Sequence, residues 1–361
     1  MKLNNNKYCI RFFQVGNDTK GGDAILIELF DERDNPFVIL IDGGYKETGE
    51  KICQHIKAKY DTPVIHLLIN THPDIDHISG LKGILENGDI KVKKIVMNRP
   101  WKDAGFKPEH FKDGRITKNS LAERLRDEFA MADDIEGIAK EKEIPLYGAF
   151  QGCNLVPDVL NVLAPDQTSY KEFLLASGKT PESIIDEFNK KSYKKVELEE
   201  EPYDENGIIK WFDDEDTSEV NQTSLVLSLK IGKEHFLFTG DAGKTTFINA
   251  LDFYNRLSQN NDSRDFTIVQ LPHHGSRKNI NPDILKRLSP KNYIISCPPN
   301  GMKDGHPSRR LINKILEIKR DSRIFITGNK NFVFYKGIDI DATPQTPQVK
   351  QPIMDGKPKA S

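Results

Sequence analysis

Long apolar runs are missing from this chain of 361 residues. No stretch approaches the ~18 apolar residues that cross a bilayer, and the opening MKLNNN is polar where a secretory leader is apolar. The expectation is a cytoplasmic protein with no membrane span. Cysteine is also sparse: Cys9, Cys53, Cys153 and Cys297 stand far apart with no Cys-x-x-Cys pair. A disulfide frame and a thiolate zinc site are both excluded. Nor is there an excess of charge of one sign. With 52 basic against 54 acidic residues the net charge is −2, so any nucleic-acid partner must be held by a local patch. What is there, 37% hydrophobic residues spread over short segments, is the composition of a folded chain of one large α/β domain or two average ones.

Branched and aromatic runs bounded by Gly, Asp and Asn predict strands at 8–15, 24–30, 37–41, 64–70 and 94–98, with a helix near 48–58. The rhythm returns at 224–231, 234–239, 266–271 and 292–296, with helical spacing near 244–257 and 308–319. Hairpins followed by flanking helices imply two packed sheets covered by helices. Between the two rhythms, 120–141 reads as a helix and 159–165 as one more core strand. Residues 197–219 hold eleven acidic residues and one basic, Lys210, a local charge of −10 that leaves +8 for the rest. The domain reading is therefore a single domain over 1–340, interrupted by a partly helical, acidic insertion at about 99–220. A Pro-rich, disordered tail follows at 341–361.

The segment THPDIDHISG, residues 71–80, places His72, Asp74, Asp76 and His77 within six positions directly after an apolar strand. A tight strand-to-helix loop turns such side chains toward one point, and imidazole with carboxylate is a good donor set for divalent ions. Crowding two Asp residues without a cation costs repulsion. The segment FLFTGDAGKTT looks at first like a phosphate loop. That motif needs a Gly five positions before the Gly-Lys pair, where Phe238 stands, so ATP binding is rejected. Asp241 is instead a strand-end carboxylate able to bridge two ions. In IVQLPHHGSRKN, His273 and His274 follow another strand, and the spacing leaves open which of them is a ligand. His306 lies in a Gly- and Pro-rich loop before a helix.

In this order, the motifs resemble those of the metallo-β-lactamase-fold hydrolases, and within them the soluble hydrolase domain of ComEC-like DNA-uptake proteins. The residues carrying the resemblance are QVG (14–16), GGDA (21–24), LIDGG (40–44), His72 to His77, Asn221 with SLVL from Ser224, Gly240-Asp241, HHGS from His273 to Ser276, and GHPS from Gly305 to Ser308. Together they run from about residue 8 to 335. Two departures matter. Asp74 stands where the β-lactamases have a second His, and Asn221 lies near the place of a further His, which argues against antibiotic hydrolysis.

The resemblance implies a four-layer αββα sandwich with its site at one edge, holding one or two divalent ions, Zn²⁺ or Mn²⁺. His72 and Asp74 would hold the first; Asp76, His77 and His274, with His273 as the alternative or an addition, the second; and Asp241 would bridge. Asp42 would orient the ligand loop. The implied chemistry is phosphodiester hydrolysis by metal-bound hydroxide, with Asp76 orienting the nucleophile. His306, Ser276, Asn221 and Arg277 would contact the substrate, and His306 would alternatively protonate the leaving oxygen. Arg277, Lys278, Lys303, Arg309 and Arg310 could follow a phosphate backbone, making DNA one candidate partner and a small phosphodiester or ester the other. A rival reading is a metal-stabilised binding or signalling module with weak or no catalysis.

Overall fold

The computed structural model describes residues 2–184, 211, 216–257, 266–288 and 290–339, without the side chain of Asp304. The tail expected at 341–361 and most of the acidic run, 197–210 and 212–215, lie outside the described residues. The strands are β1 (Leu3–Phe12), β2 (Ile25–Asp31), β3 (Pro36–Ile41), β4 (Val64–Ile65), β5 (Leu67–Ile69), β6 (Lys91–Val92), β7 (Ile95–Val96) and β8 (Leu146–Tyr147). They continue with β9 (Asn154–Val156), β10 (Leu160–Ala164), β11 (Val226–Ile231), β12 (Glu234–Phe238), β13 (Ile268–Gln270), β14 (Asn292–Ile295), β15 (Arg323–Ile326) and β16 (Phe332–Lys336).

Two seven-stranded sheets result, ordered β16-β1-β2-β3-β5-β7-β8 and β15-β14-β13-β12-β11-β10-β9, beside a short β4-β6 pair. Each is antiparallel over one half and parallel over the other. In the first sheet, β3, β5, β7 and β8 run parallel; in the second, β12, β13, β14 and β15 do. The strands read as continuous apolar runs because both faces are buried. Ile25, Ile27, Ile39, Ile41, Leu67 and Ile69 point between the sheets to meet Leu227, Leu229, Phe236, Phe238, Ile268 and Ile294. The intervening Leu26, Val38, Leu40 and Leu68 pack outward on the helices Lys46–Lys59, Ile75–Asn87, Lys118–Glu128 and Ala130–Glu141. On the second sheet Val226, Leu237, Val269 and Ile295 pack on Lys244–Leu257, Pro282–Arg287 and Arg309–Ile318. The layers are thus helix, sheet, sheet, helix.

The segment 120–141, expected as one helix, is two: the chain breaks at Phe129 (φ −121°, ψ 46°), whose ring is buried in the core under the first sheet. Within 99–220, β8 joins the first sheet and β9 and β10 the second. Strands β15 and β16 lie beyond the segments that apolar patterning picks out. Among the described residues, no helix is long and apolar enough to cross a membrane.

Candidate metal centre

Parallel strands present their C-terminal ends together, and loops leaving those ends form a shared crevice. From the first sheet, β3 ends in Asp42, at φ 54°, and β5 runs into Asn70, Thr71 and His72. The Asp42 carboxylate accepts from the Thr71 N–H at 2.8 Å, the Thr71 hydroxyl at 2.6 Å and His77 Nδ1 at 2.8 Å. Because its hydroxyl hydrogen is committed to Asp42, Thr71 Oγ1 can only accept from His72 Nδ1, 3.1 Å away. Both imidazoles therefore carry a proton on Nδ1 and turn Nε2 inward. Asp74 sits at the N-cap of the helix Ile75–Asn87, where an Asp normally accepts from the first-turn N–H groups. It makes no such bond, and Oδ2 lies 3.6 Å from His72 Nε2.

Close backbone approach sets this side of the crevice. A Cβ on Gly80 would lie 2.0 Å from the Gly43 carbonyl oxygen, and one on Gly43 would lie 2.4 Å from Leu81 N. With hydrogen appearing at both contacts, the turn docks directly on the helix: the Gly43 N–H donates to the His77 carbonyl and the Gly80 N–H to the Gly44 carbonyl, each at 2.8 Å.

The second sheet supplies Asp241 after β12 and His273-His274 after β13. Both histidines adopt the left-handed conformation, φ 47° and 55°, which is rare for residues with a Cβ and concentrates at functional sites. That geometry sends adjacent rings to different partners. His273 Nε2 lies 3.6 Å from Asp241 Oδ2, the atom that His72 Nε2 also faces at 3.8 Å. His274 Nε2 lies 3.3 Å from Asp76 Oδ2, and His77 Nε2 lies 3.3 Å from Asp241 Oδ1. Nδ1 of His274 donates to the Ser296 carbonyl at 2.9 Å. Asn279 has its amide N–H groups on the carbonyls of Asp241 and Ala242, so its oxygen accepts from His273 Nδ1 at 3.2 Å.

Four imidazole Nε2 atoms and three carboxylates thus converge, with Asp241 in the middle. His72 Nε2, His77 Nε2 and Asp241 Oδ1 are buried and have no hydrogen-bond partner among the described residues. Three sets of ligand atoms, His72-His77-Asp241, Asp76-His77-His274 and Asp23-Asp241-His274, each lie within 4.8 Å of one another. Unpartnered buried donors and acceptors are costly, and this donor set is the one that suits a divalent cation. The charges are mutually supporting. Burial opposes ionisation of Asp241, yet His273, His77 and His274 hold it well below the usual carboxylate range. Burial likewise opposes protonation of His77, but Asp241, Asp76 and Asp42 raise it well above the ordinary imidazole value. Asp76, despite burial, is held at about 2, chiefly by His77 and His274.

Beside this cluster a polar cavity of about 500 Å³ is lined by Asp74, Asn221, His273, Ser276, Arg277, Lys278 and His306, with 216–218 on its far wall. Asn221 is buried and turned to its neighbours: its Nδ2 donates to Thr217 Oγ1 at 3.0 Å and lies 3.1 Å from His273 Nδ1. It also lines the cavity, where sequence reading has it touching substrate. His306 stacks on His273 with centroids 5.1 Å apart. Burial, then the charges of His273 and His274, push it down to about 4, so it is neutral at pH 7 and suited to hydrogen bonding more than to proton donation. Arg310 is 5% exposed and cannot follow a polymer over the surface, because the first turn of its helix faces inward. The residue that sequence reading passes over is Asp23. It appears there only within GGDA (21–24), one of the motifs that carry the resemblance, with no role of its own.

Residues 18–140 match the family model of the metallo-beta-lactamase superfamily. No curated protein matches the chain. Among solved structures, it is similar to the diiron beta-hydroxylase CmlA of Streptomyces venezuelae (10% identity, TM-score 0.44), covering 91% of this chain and 54% of that one. A long-form RNase Z from yeast is similar at 11% identity and TM-score 0.35, over 80% of this chain and 37% of that one. So is MEM-A1, a subclass B3 metallo-beta-lactamase from a soil metagenome library, at 12% identity and TM-score 0.30, over 75% and 81%. Likenesses this distant say nothing of activity or substrate. Over residues 18–140 the chain is thus similar to the metallo-beta-lactamase superfamily, and its described residues form a mixed α/β sandwich.

Proposed function

We propose that this protein is a divalent-metal-dependent phosphodiesterase. The observation that carries the reading is the convergence, from both sheets, of inward-facing Nε2 atoms and carboxylates on Asp241, next to a polar cavity with cationic side chains. His72, Asp74, Asp241 and His273 form one donor set and Asp76, His77, His274 and Asp241 the other, so that His273 takes the place of the histidine missing at Asn221. When bound there, divalent cations supply acidified water, its pKa brought from 15.7 toward ~7, and neutralise charge on phosphoryl oxygens. The protein's own part is to fix the rings through Asp42, Thr71, Asn279 and the Ser296 carbonyl. Asp76, a quarter exposed at its side chain, orients the nucleophile, while Arg277 and Lys278 bind the substrate's negative charge. Neutral His306 and Ser276 offer hydrogen bonds to non-bridging oxygens.

The motif resemblance to hydrolase domains of DNA-uptake proteins supports a polynucleotide as the phosphodiester. Oligonucleotide affinity falling steeply with salt supports that choice, because a phosphate-tracking site releases counterions. A flat salt response assigns the cavity to a small phosphodiester. Chelated protein should lose hydrolysis of bis(p-nitrophenyl) phosphate and regain it with Mn²⁺ or Zn²⁺. Turnover unchanged in a His72→Ala, Asp76→Ala double variant refutes the assignment.

A further inference from the structure

The carboxylate of Asp23 is 1% exposed, and neither oxygen has a hydrogen-bond partner among the described residues. Ser296 beside it is outside hydrogen-bond geometry. A like charge is close: one Asp23 oxygen lies within 4.8 Å of a ligand atom of Asp241 and of one of His274. The cations whose charge acts on it are imidazoles, His274 and His77, which themselves face Asp76 and Asp241. A buried acid in this position is repelled by Asp241 and poorly compensated.

The turn that delivers it is built for the purpose. A Cβ on Gly22 would lie 2.3 Å from the Asp76 carbonyl oxygen, and one on Gly21 would lie 3.3 Å from the His274 ring. The Asp23 N–H donates to that same Asp76 carbonyl at 3.3 Å. Two glycines therefore let the loop close on both Asp76 and His274 and push the carboxylate between them and Asp241.

We propose that Asp23 is a ligand of the second cation, shared with Asp76, His77, His274 and Asp241. The inference rests on the metal-centre reading above and extends it. The second position then has three carboxylates and two imidazoles, five protein donors, against two and two at the first. Zinc favours four donors in a tetrahedron, whereas Mn²⁺ accepts five or six and favours oxygen. The two positions are consequently unequal, with the Asp23 side selecting Mn²⁺.

The test uses the full chain, chelated and then titrated with Mn²⁺ alone, with stoichiometry read by equilibrium dialysis and the metal pair by electron paramagnetic resonance. Wild-type protein should bind two Mn²⁺ and show an exchange-coupled signal. Asp23→Asn should keep one tight ion, weaken the other at least about tenfold and lose the coupling. Chelated Asp23→Asn should melt higher than chelated wild type, and Mn²⁺-loaded Asp23→Asn lower than loaded wild type. A merely structural carboxylate moves both melts in one direction. Two unchanged Mn²⁺ sites in the variant overturn the inference and leave the metal centre standing. A wild type that takes up no Mn²⁺ overturns both. Should Asp23→Asn fail to fold, Asp23→Glu is read by the same titration, and an unchanged second site there overturns the inference.

Discussion

At the scale of single residues, the centre is governed by which nitrogen of each ring holds the proton. Asp42, Thr71, Asn279 and the Ser296 carbonyl each take an Nδ1–H, and all four Nε2 atoms are left facing acids. Asp42 reaches no ligand position, yet it fixes His77 directly and His72 through Thr71. Asp42→Asn, retaining shape but not charge, should lower Mn²⁺ affinity roughly 10–100-fold, measured by isothermal titration; unchanged affinity would remove Asp42 from the argument.

A half-buried imidazole gives a pH test away from the centre. Burial, then the charges of Arg11 and Lys59, push His55 from 6.5 down to about 4. The folded state therefore refuses a proton that the unfolded chain accepts, so the contribution of this ring is intact above pH 6.5 and is lost as pH falls toward 4. Denaturation of His55→Gln should show a shallower loss over that window, and an equal slope contradicts it. His72 to His77 are legible in sequence because four ligand-type side chains crowd six positions. Asp23 is not, because an Asp after two glycines is chemically indistinguishable from a turn until the loop is seen closed on Asp76.

At the scale of elements, glycine does the positioning. The pair Gly43 and Gly80 lets the turn after β3 touch the helix Ile75–Asn87 backbone to backbone, which is what brings Asp42 to His77. Gly80→Ala forces these apart. A loss of roughly 1–3 kcal/mol is expected from overpacking, accompanied by weakened Mn²⁺ binding, with denaturant melts and titration as the readouts. Normal affinity in a destabilised variant would show that the contact serves stability alone. Strand patterning locates most elements, since runs buried on both faces remain apolar throughout. It fails at Phe129, where composition favours one helix and burial of the ring breaks it in two. It fails again at β15 and β16, short runs of four and five residues that only pairing with β14 and β1 makes strands.

At the scale of the whole molecule, the first sheet contributes His72, Asp74, Asp76 and His77 and the second contributes Asp241, His273 and His274. A cation joining them binds only when the two sheets are docked, so its affinity becomes folding stability. Mn²⁺ at a hundredfold excess over its dissociation constant should stabilise the chelated protein by about 2.7 kcal/mol, and Asp241→Asn should erase that gain. An equal gain in the variant would place the ion elsewhere. Two packed sheets under helices follow from the order of strands and helices in the sequence. The interleaving of the two sheets does not, because it depends on pairings between residues hundreds of positions apart.

That interleaving has a consequence for synthesis in the cell. Strand β15 completes the edge of one sheet and β16 the edge of the other, although both fall within the fourteen positions from Arg323 to Lys336. A ribosome must release this late stretch before either half of the sandwich can acquire its last neighbour. The nascent chain therefore waits with both sheets short of a strand, and both are completed at nearly the same moment.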